Sequence, residues 1–244
     1  MVNVLLTRPL TQVVALEALV ADSGHQPLLF PTLEIKALEA SIERKQYDAV
    51  IFISANAVVH GMKILAQISY SSVFAVGAAT AKKLNDYNIS VDDFPQEKAS
   101  SEALLSLESV SCLQNKKILI FRGKGGRETL KIGLEKTHNQ VTYAQVYDRV
   151  ICTLSELHKQ SLKGFLSDSQ GFISITSNEN LDGLMILAKQ LKHLDNLKNY
   201  PLIVLSERIK QYAHSCGFSQ VIVTQDISDQ AIASVLEQDN TLDN

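Results

Sequence analysis

The sequence predicts an α/β protein made of two similar doubly wound, parallel-sheet (flavodoxin-like) domains, one inserted into the other and joined by a two-strand linker. Three observations support this fold class. Apolar runs of strand length alternate with amphipathic, helix-like segments along nearly the whole chain, which is typical of βαβ units. Residues 49–146 contain about five such runs, enough for one complete sheet. A strand, serine and helix pattern at residues 50–58 returns roughly 120 residues later at 171–181, which suggests two similar halves.

The repeated pattern places a serine at the same point of each half. Ser54 and Ser177 each follow an apolar run and precede helix-forming residues. Each serine is therefore expected at the carboxyl end of a parallel strand and beside a helix N-terminus, whose free N–H groups attract anions. Helix capping alone accounts for either serine taken singly, but it does not explain why both halves share the pattern. Open α/β sheets bind ligands at this edge.

The N-terminal segment supplies two strands and one helix. Residues 2–6 form an apolar strand, and Pro9 stands at a position that suits the start of a helix. Apolar residues then recur at helical spacing as far as Gly24, which can adopt the left-handed conformation of a helix end. A second strand follows at residues 28–30, and residues 31–37 continue as an extended passage.

The middle of the chain repeats one unit, which consists of an apolar strand, a small or polar turn and an amphipathic helix. The predicted strands are residues 49–53, 73–76, 89–91, 118–121 and 141–146. After the Ser54 helix, the next helix is expected to end near Asn88. A third should run from a Ser100 cap through Val110, and a fourth should open at Arg127 and close at Asn139.

The C-terminal third continues the alternation. An extended passage at residues 147–152 leads to a capping-box pattern at 153–156, which opens a helix. Strands are predicted at 172–175, 202–205 and 221–223. The accompanying helices should end near Leu191, span 206–216 with Gly217 as the cap, and span 228–238. Residues 239–244 have the composition of a frayed polar tail.

The economical topology pairs the two ends of the chain into one domain. Domain 1 is predicted as residues 1–32 with 152–244, and the inserted domain 2 as residues 37–146. Residues 33–36 and 147–151 would cross between the domains as side-by-side linker strands. Such a bridge permits hinging, and the cleft that it spans is the default site for a ligand.

Composition and charge exclude several classes of partner. The 244 residues are 45% hydrophobic and carry a net charge of −3, so bulk electrostatics attract neither nucleic acid nor a membrane surface. Cys112, Cys152 and Cys216 lack metal-ligand spacing and fit a reducing compartment. The start of the chain makes a poor secretory signal, and no run approaches the roughly 18 apolar residues of a membrane span. We expect a cytoplasmic monomer with no nucleic-acid or membrane partner.

The strand exits suit a ligand rich in carboxylate or phosphate. The chain has no His-Glu-x-x-His, Gly-x-Ser-x-Gly or Cys-x-x-Cys pattern. The exits carry hydroxyls, amides, glycines and arginines instead, and these groups donate hydrogen bonds to anions. The candidate ligand-binding residues are Arg8, Ser54, Asn56, Thr80, Arg122, Gly123, Ser177, Asn178 and Ser206.

Several candidates also have an ordinary structural interpretation. Arg8 could form a surface ion pair, and Thr80 could be a plain first-turn helix residue. The glycine-rich segment 122–127 lacks the Walker order, and a tight turn explains it about as well as an anion cradle. Tyr147 stands in the returning linker, where its phenol would face the space between the domains. It could equally be an interfacial aromatic with a hydrogen-bonded hydroxyl.

A set of short motifs occurs in a fixed order along nearly the whole chain. They are Leu5-Leu6-Thr7-Arg8-Pro9, Phe52-Ile53-Ser54-Ala55-Asn56-Ala57-Val58, Val76-Gly77-Ala78-Ala79-Thr80-Ala81, Phe121-Arg122-Gly123 with Gly126-Arg127-Glu128, Val146-Tyr147-Asp148-Arg149, Ile175-Thr176-Ser177-Asn178-Glu179-Asn180-Leu181 and Ser206-Glu207-Arg208-Ile209. As an ordered set they resemble the uroporphyrinogen-III synthase family.

The resemblance implies a lyase of tetrapyrrole biosynthesis. Such an enzyme converts linear hydroxymethylbilane into cyclic uroporphyrinogen III, inverts the last pyrrole ring and releases water. It uses neither cofactor nor metal, and a transient hand-off from hydroxymethylbilane synthase is one expectation. Tyr147 matches the tyrosine proposed to donate a proton to the departing hydroxyl, and Thr80 matches a cleft threonine. Arg8, Ser54, Asn56, Ser177 and Ser206 match regions that contact the substrate carboxylates.

Two other functions compete with this interpretation. A two-lobed binding or sensor protein for an anionic small molecule would share the inserted architecture, but it gives no reason for Tyr147. A two-lobed nucleotide-sugar transferase would require a catalytic base and a clearer ribose-binding acid than the sequence offers.

Overall fold

The computed structural model describes residues 1–42 and 44–239. Internal contacts divide the chain into two units, which we call the split unit and the inserted unit. The split unit contains Met1–Glu34 and the chain from Val150 onward, and the inserted unit is Ile35–Arg149. Each unit is built on a mainly parallel sheet with helices, which confirms the predicted fold class. Within the described ranges, none of the helices has the length and apolar character needed to span a membrane.

The strands and helices alternate along most of the chain. The strands are β1 (Asn3–Leu6), β2 (Gln26–Leu29), β3 (Leu33–Ala37), β4 (Ala49–Phe52), β5 (Ser72–Ala75), β6 (Lys117–Gly123), β7 (Gln140–Ile151), β8 (Gly171–Ile175), β9 (Leu202–Val204) and β10 (Val221–Val223). The helices are α1 (Leu10–Asp22), α2 (Ala55–Leu65), α3 (Ala78–Asp86), α4 (Ser101–Ser106), α5 (Glu108–Ser111), α6 (Thr129–Glu135), α7 (Glu156–Phe165), α8 (Asn178–Gln190), α9 (Leu194–Leu197), α10 (Glu207–Ser215) and α11 (Asp229–Asp239).

The split unit contains a fully parallel sheet in the order β2-β1-β8-β9-β10. Alternate residues of β1 enter two separate apolar clusters, as expected for a sheet covered on both faces. Leu5 packs in one cluster with Phe165 and Leu184, and Leu6 packs in the other with Leu16. Counted in chain order within the unit, the strands run 2-1-3-4-5, so the order reverses between β1 and β8. Doubly wound sheets bind ligands at the carboxyl ends of the strands at such a reversal.

The inserted unit repeats this arrangement in the order β5-β4-β6-β7-β3. The pairs β4–β5, β4–β6 and β6–β7 are parallel, so the reversal lies between β4 and β6. The edge strand is β3, which includes the residues 33–36 predicted as a linker strand. Leu38 N–H donates to Val146 C=O at 2.9 Å, and Cys152 N–H donates to Thr32 C=O at 3.1 Å. Because these residues pair in opposite order, β3 and β7 run antiparallel.

A glycine and two phenylalanines hold α2 close to the sheet of the inserted unit. Phe52 of β4 and Phe121 of β6 stack with their ring centroids 4.3 Å apart and an interplanar angle of 3°. Gly61 of α2 lies directly above them, since a β-carbon there would stand 2.7 Å from Phe121 Cδ1. This packing fixes the N-terminus of α2 beside the reversal between β4 and β6.

The predicted strand at residues 89–91 is wrong. Among the described residues, the chain here makes only an isolated bridge between Phe74 and Asp93. Asn88 has a φ of 59°, and the chain then meets β5 at Asp92, whose N–H donates to Val73 C=O at 2.8 Å, and at Asp93, whose C=O accepts the Ala75 N–H at 3.3 Å. The Asp92 carboxylate accepts the Val73 N–H at 2.7 Å, where a strand would have presented a carbonyl.

Two further local predictions need correction. The helix expected through Val110 is interrupted at Leu107, whose extended backbone (φ −65°, ψ 136°) separates α4 from α5. The capping box predicted at residues 153–156 lies elsewhere: Ser155 is the N-cap of α7 and its partner is His158. Ser155 N–H donates to His158 Nδ1 at 3.1 Å, while His158 Nε2 contacts Pro31 C=O at 2.8 Å. The buried His158 thus takes the place in the capping box that the sequence pattern assigned to Glu156.

Most of the remaining elements follow the prediction, although α6 is shorter at both ends than the helix expected from Arg127 to Asn139. The strand expected at 141–146 and the extended passage at 147–152 form one strand, β7, because Tyr147 keeps pairing with β6. Gly24 and Gly217 have φ values of 78° and 90°, as their predicted positions at helix ends require. The predicted polar tail begins at Asp239, and its residues 240–244 lie outside the described residues.

Candidate active site

Three of the predicted residues meet at the strand reversal of the inserted unit. Ser54 follows β4 after Ile53, and Gly123 is the last residue of β6. Tyr147 pairs with Gly123 across β6 and β7, where the register shifts between Arg122 and Gly123. The shift brings Tyr147, instead of its neighbour Val146, opposite the end of β6. A phenol and a serine hydroxyl therefore lie together at the carboxyl edge of the sheet.

The hydroxyls of Ser54 and Tyr147 form a hydrogen bond of 3.1 Å. Ser54 Oγ also accepts the N–H of Ala57 at 3.1 Å and so caps α2. The phenol is thus linked through one serine to the N-terminus of an 11-residue helix. Helix N-termini carry a partial positive charge, which stabilises nearby negative charge.

Backbone contacts fix the ring of Tyr147. The side chain is buried, and a β-carbon at Gly123 would stand 2.7 Å from its Cζ. Lys124 N–H donates to the carbonyl of Tyr147 at 2.8 Å. The His60 ring lies at a centroid distance of 6.0 Å. The side chain therefore has little freedom to move, although its hydroxyl remains a donor and acceptor.

Arg122 is engaged within the turn that follows β6. Its guanidinium is 3% exposed, donates to Glu128 Oε1 at 3.0 Å and contacts the carbonyl of Gly125. It also lies 4.4 Å above the ring of Tyr143, whose hydroxyl donates to Glu128 Oε2 at 2.8 Å. Burial and then the Glu128 hydrogen bond raise the pKa of Tyr143 to about 12. The Tyr143 hydrogen bond is the largest influence that lowers the pKa of Glu128.

These contacts give Arg122 a structural task that the sequence analysis did not foresee. Glu128 already neutralises the guanidinium, and direct binding of a second carboxylate would require Glu128 to move. Nε of Arg122 is buried without a hydrogen-bond partner among the described residues. The geometry favours a role in holding the turn from Gly123 to Gly126 in place against Tyr147.

Asn56 and Thr80 occupy the first turns of two neighbouring helices. Asn56 is the second residue of α2 and is partly buried. Thr80 is the third residue of α3, is 4% exposed, and donates its N–H to Gly77 C=O at 3.1 Å. Both positions lie just beyond the carboxyl ends of β4 and β5, as predicted.

The other predicted residues lie at the equivalent edge of the split unit. Ser177 caps α8 by accepting the Asn180 N–H at 3.1 Å, as Ser54 does in α2. Ser206 is the N-cap residue of α10 but makes no side-chain capping bond within the described chain. Asn178 Oδ1 is buried and has no hydrogen-bond partner among the described residues. Arg8 forms an ion pair with Asp229, and both side chains are largely buried.

A buried polar network behind this edge was missed by the sequence analysis. Thr7 Oγ1 donates to Asn180 Oδ1 at 2.6 Å, and Asn180 Nδ2 donates to Thr7 C=O at 2.8 Å and to Thr32 Oγ1 at 2.6 Å. The network ties the ends of β1 and β2 to α8. A local signal existed, because Asn180 lies at helical spacing from Leu184 and Leu187 on the buried face of α8, where a polar side chain requires partners.

Potential metal ligands are dispersed in this structure. Over residues 1–42 and 44–239, no group of three or more His, Cys, Asp or Glu side chains is placed to hold a metal ion.

Known proteins resemble this chain in sequence and in structure. The family model described as Uroporphyrinogen-III synthase HemD matches residues 14–234. The uroporphyrinogen-III synthase of Escherichia coli (strain K12) is 28% identical over 164 residues, which is 67% of this chain and 66% of that protein, just under two thirds of its length. The uroporphyrinogen-III synthase of Salmonella typhimurium is 26% identical over 247 aligned residues, covering 96% of this chain and 100% of that protein.

Two solved structures share the fold. The uroporphyrinogen-III synthetase of Helicobacter pylori 26695 superposes with a TM-score of 0.69 at 18% identity, covering 98% of this chain and 99% of that one. A mutant uroporphyrinogen III synthase of Thermus thermophilus gives a TM-score of 0.59 at 16% identity, covering 99% and 100%. At such identities the structures support the fold alone. The family model, however, spans most of both units, and the chain belongs to the uroporphyrinogen-III synthase family.

Proposed function

We propose that this protein is a cyclising lyase that converts hydroxymethylbilane into uroporphyrinogen III with inversion of the last pyrrole ring. The observation that carries the proposal is the family match over residues 14–234, which includes both units. The relatives in Escherichia coli and Salmonella typhimurium are named for this activity. The alternative of a binding or sensor protein without catalysis is not favoured, because it leaves the family match unexplained.

The substrate presents eight carboxylates, and both sheet edges offer donors for them. We propose that Asn56 and Thr80 bind carboxylates at the inserted unit, together with backbone N–H groups near Gly123. At the split unit we assign the same role to Ser177, Asn178 and Ser206, and to Arg8 once its ion pair with Asp229 opens. Helix N-termini favour anions at these positions, and charge-assisted hydrogen bonds are stronger than neutral ones. Arg122 acts indirectly in this proposal, by shaping the turn around Gly123.

Tyr147 is the proposed general acid. The phenol transfers its proton to the terminal hydroxyl of the bilane, the C–O bond breaks, and water leaves with an azafulvene cation remaining on the first ring. The substituted carbon of the last ring attacks this cation to give a spiro intermediate, which fragments and recloses. The proton released when the last ring regains aromaticity balances the one supplied by Tyr147. Positioning of the flexible bilane supplies much of the effect, since uncatalysed closure gives the uninverted isomer.

The setting of the reaction is part of the proposal. The free thiols of Cys112 and Cys216 support a reducing compartment, and we place the enzyme in the cytoplasm. We propose a monomer that needs neither metal nor organic cofactor and does not bind nucleic acid, in keeping with its net charge of −3. A transient complex with hydroxymethylbilane synthase would shorten the lifetime of the unstable substrate in solution.

The direct test supplies freshly prepared hydroxymethylbilane and separates the oxidised porphyrin isomers. We expect predominantly type III with the protein and type I in a buffer control. Type I alone in the presence of folded protein would contradict the proposed enzyme. A binding protein would slow the consumption of the bilane without changing the isomer formed.

A further inference from the structure

We infer that Ser54 is a positioning residue that directs the proton of Tyr147 toward the departing hydroxyl of the substrate. This inference rests on the proposed function and assigns Ser54 a role in the proton transfer in place of a carboxylate contact. It is drawn from the 3.1 Å hydrogen bond between the two hydroxyls and from the environment of each.

The capping hydrogen bond of α2 determines which further hydrogen bonds the Ser54 hydroxyl can make. A serine hydroxyl has one hydrogen and two acceptor lone pairs. Ser54 Oγ already accepts the N–H of Ala57, and its hydrogen is free to donate to Tyr147. Acceptance from the helix polarises the serine O–H, and this strengthens its donation in a chain of hydrogen bonds. When Ser54 donates to Tyr147, the phenol oxygen is the acceptor and the phenol hydrogen stays available for the substrate.

The same hydrogen bond serves the product of proton transfer. When the phenol gives its proton to the leaving hydroxyl, the negative charge that remains on Tyr147 faces the Ser54 O–H. Hydrogen bonds to charged groups are stronger than neutral ones, so this bond tightens as the C–O bond breaks. The N-terminus of α2 lies behind Ser54 and favours the same charge. Ser54 therefore stabilises the state after transfer more than the state before it, as catalysis requires.

Because packing fixes the ring of Tyr147, Ser54 controls the direction of the phenol hydrogen. The phenol ring lies against Gly123 so closely that it has no room to approach that residue further, and Lys124 N–H holds its carbonyl. The position of the ring is thus set by the backbone. The direction of the phenol hydrogen is set by whatever contacts the oxygen, and among the described residues the hydrogen-bond partner of that oxygen is Ser54.

A double-mutant cycle tests the inference. We expect Ser54→Ala to lower kcat about tenfold while KM changes little, since one hydrogen bond to a charged group is lost. In a Tyr147→Phe background the same change should have no further effect on kcat, because the oxygen that Ser54 contacts is gone. Ser54→Thr keeps the hydroxyl and should restore most of the turnover.

Two variants separate this role from helix capping. Ser100 caps α4 in the same unit by accepting the Ala103 N–H at 3.0 Å, and Ser100→Ala should lower stability without lowering kcat. Ser54→Asp retains a capping oxygen but, when ionised, has no hydrogen to donate, so its kcat should fall as in Ser54→Ala even if the alanine variant folds poorly. An unchanged kcat in folded Ser54→Asp, or an equal loss from Ser54→Ala with and without Tyr147, would overturn the inference. Failure of the proposed function itself appears earlier, as type I product from the wild-type protein.

Discussion

Gly123 lies against the ring of Tyr147 at a distance that admits no side chain: a β-carbon there would stand 2.7 Å from Cζ. The φ of Gly123 is outside the left-handed range, so alanine meets no backbone strain at this position. The requirement for glycine therefore comes from the contact with Tyr147, and its purpose is to hold the phenol at the sheet edge.

Substitution of Gly123 by alanine should displace the ring of Tyr147 and lower kcat about 10- to 100-fold, because small misplacements of catalytic groups are costly. Initial rates of uroporphyrinogen III formation measure the effect. Gly164→Ala is the control, since a β-carbon there would meet Leu28 Cδ1 at an ordinary 3.7 Å. Wild-type turnover in folded Gly123→Ala would show that the ring position is not critical.

Tyr147→Phe should lower kcat by about one to two orders of magnitude, the usual scale of general acid assistance, and leave the fold intact. Circular dichroism and thermal unfolding check the fold, and isomer analysis checks the product. The product that forms should still be type III, because the shape of the site is retained. Full activity in this variant would remove Tyr147 from the mechanism.

Tyr143→Phe should reveal a stability contribution that disappears at alkaline pH. The pKa of Tyr143 is raised from 10.0 to about 12 in the folded protein. Because the pKa of Tyr143 is higher in the folded than in the unfolded protein, its contribution to the free energy of unfolding is fully present below pH 10. This contribution is lost as the pH rises toward 12. The difference in urea midpoint between wild type and Tyr143→Phe should thus favour wild type at pH 8 and shrink above pH 10.

The control for that measurement is Tyr87→Phe, which removes one phenol from an exposed position. Its midpoint should differ little from wild type at pH 8. A difference between wild type and Tyr143→Phe that stays constant from pH 8 to 11 would contradict the raised pKa of Tyr143 in the folded protein.

Asn180→Ala should destabilise the protein by about 3 kcal/mol, because it removes three buried side-chain hydrogen bonds that Asn180 makes with Thr7 and Thr32. Chemical denaturation measures the loss. Asn196→Ala, at an exposed position of α9, should change the free energy of unfolding by less than about 0.5 kcal/mol. A loss below about 1 kcal/mol for Asn180→Ala would mean that the network tolerates a missing member.

Local features of this fold were predictable from sequence. Ser54, Ser100 and Ser177 all cap the helices assigned to them, since an N-cap and the N–H that it accepts are three residues apart. The parallel α/β class followed in the same way from the alternation of apolar runs with amphipathic segments.

Features that depend on distant residues were not predictable. Asn180 bonds to Thr7 across 173 residues of sequence, and His158 reaches Pro31 across 127. The hydrophobic periodicity of a sequence does not indicate which distant residues form hydrogen bonds. Arg122 was expected at the ligand, and its contacts with Glu128 and with Tyr143 of β7 were not foreseen. The ligand-contact roles of the predicted site residues stay predictions.

The antiparallel pairing of β3 with β7 determines where the inserted unit can be cut from the chain. A fragment limited to residues 37–146 would lose nearly all of β3 and the last five residues of β7. One that begins at residue 49 but keeps all 12 residues of β7 would leave that strand with an uncovered edge. Long bare edges recruit strands from other molecules, so such a fragment would be prone to aggregate. Fragments spanning residues 33–151 keep the edge covered and are the ones to express for study of this half alone.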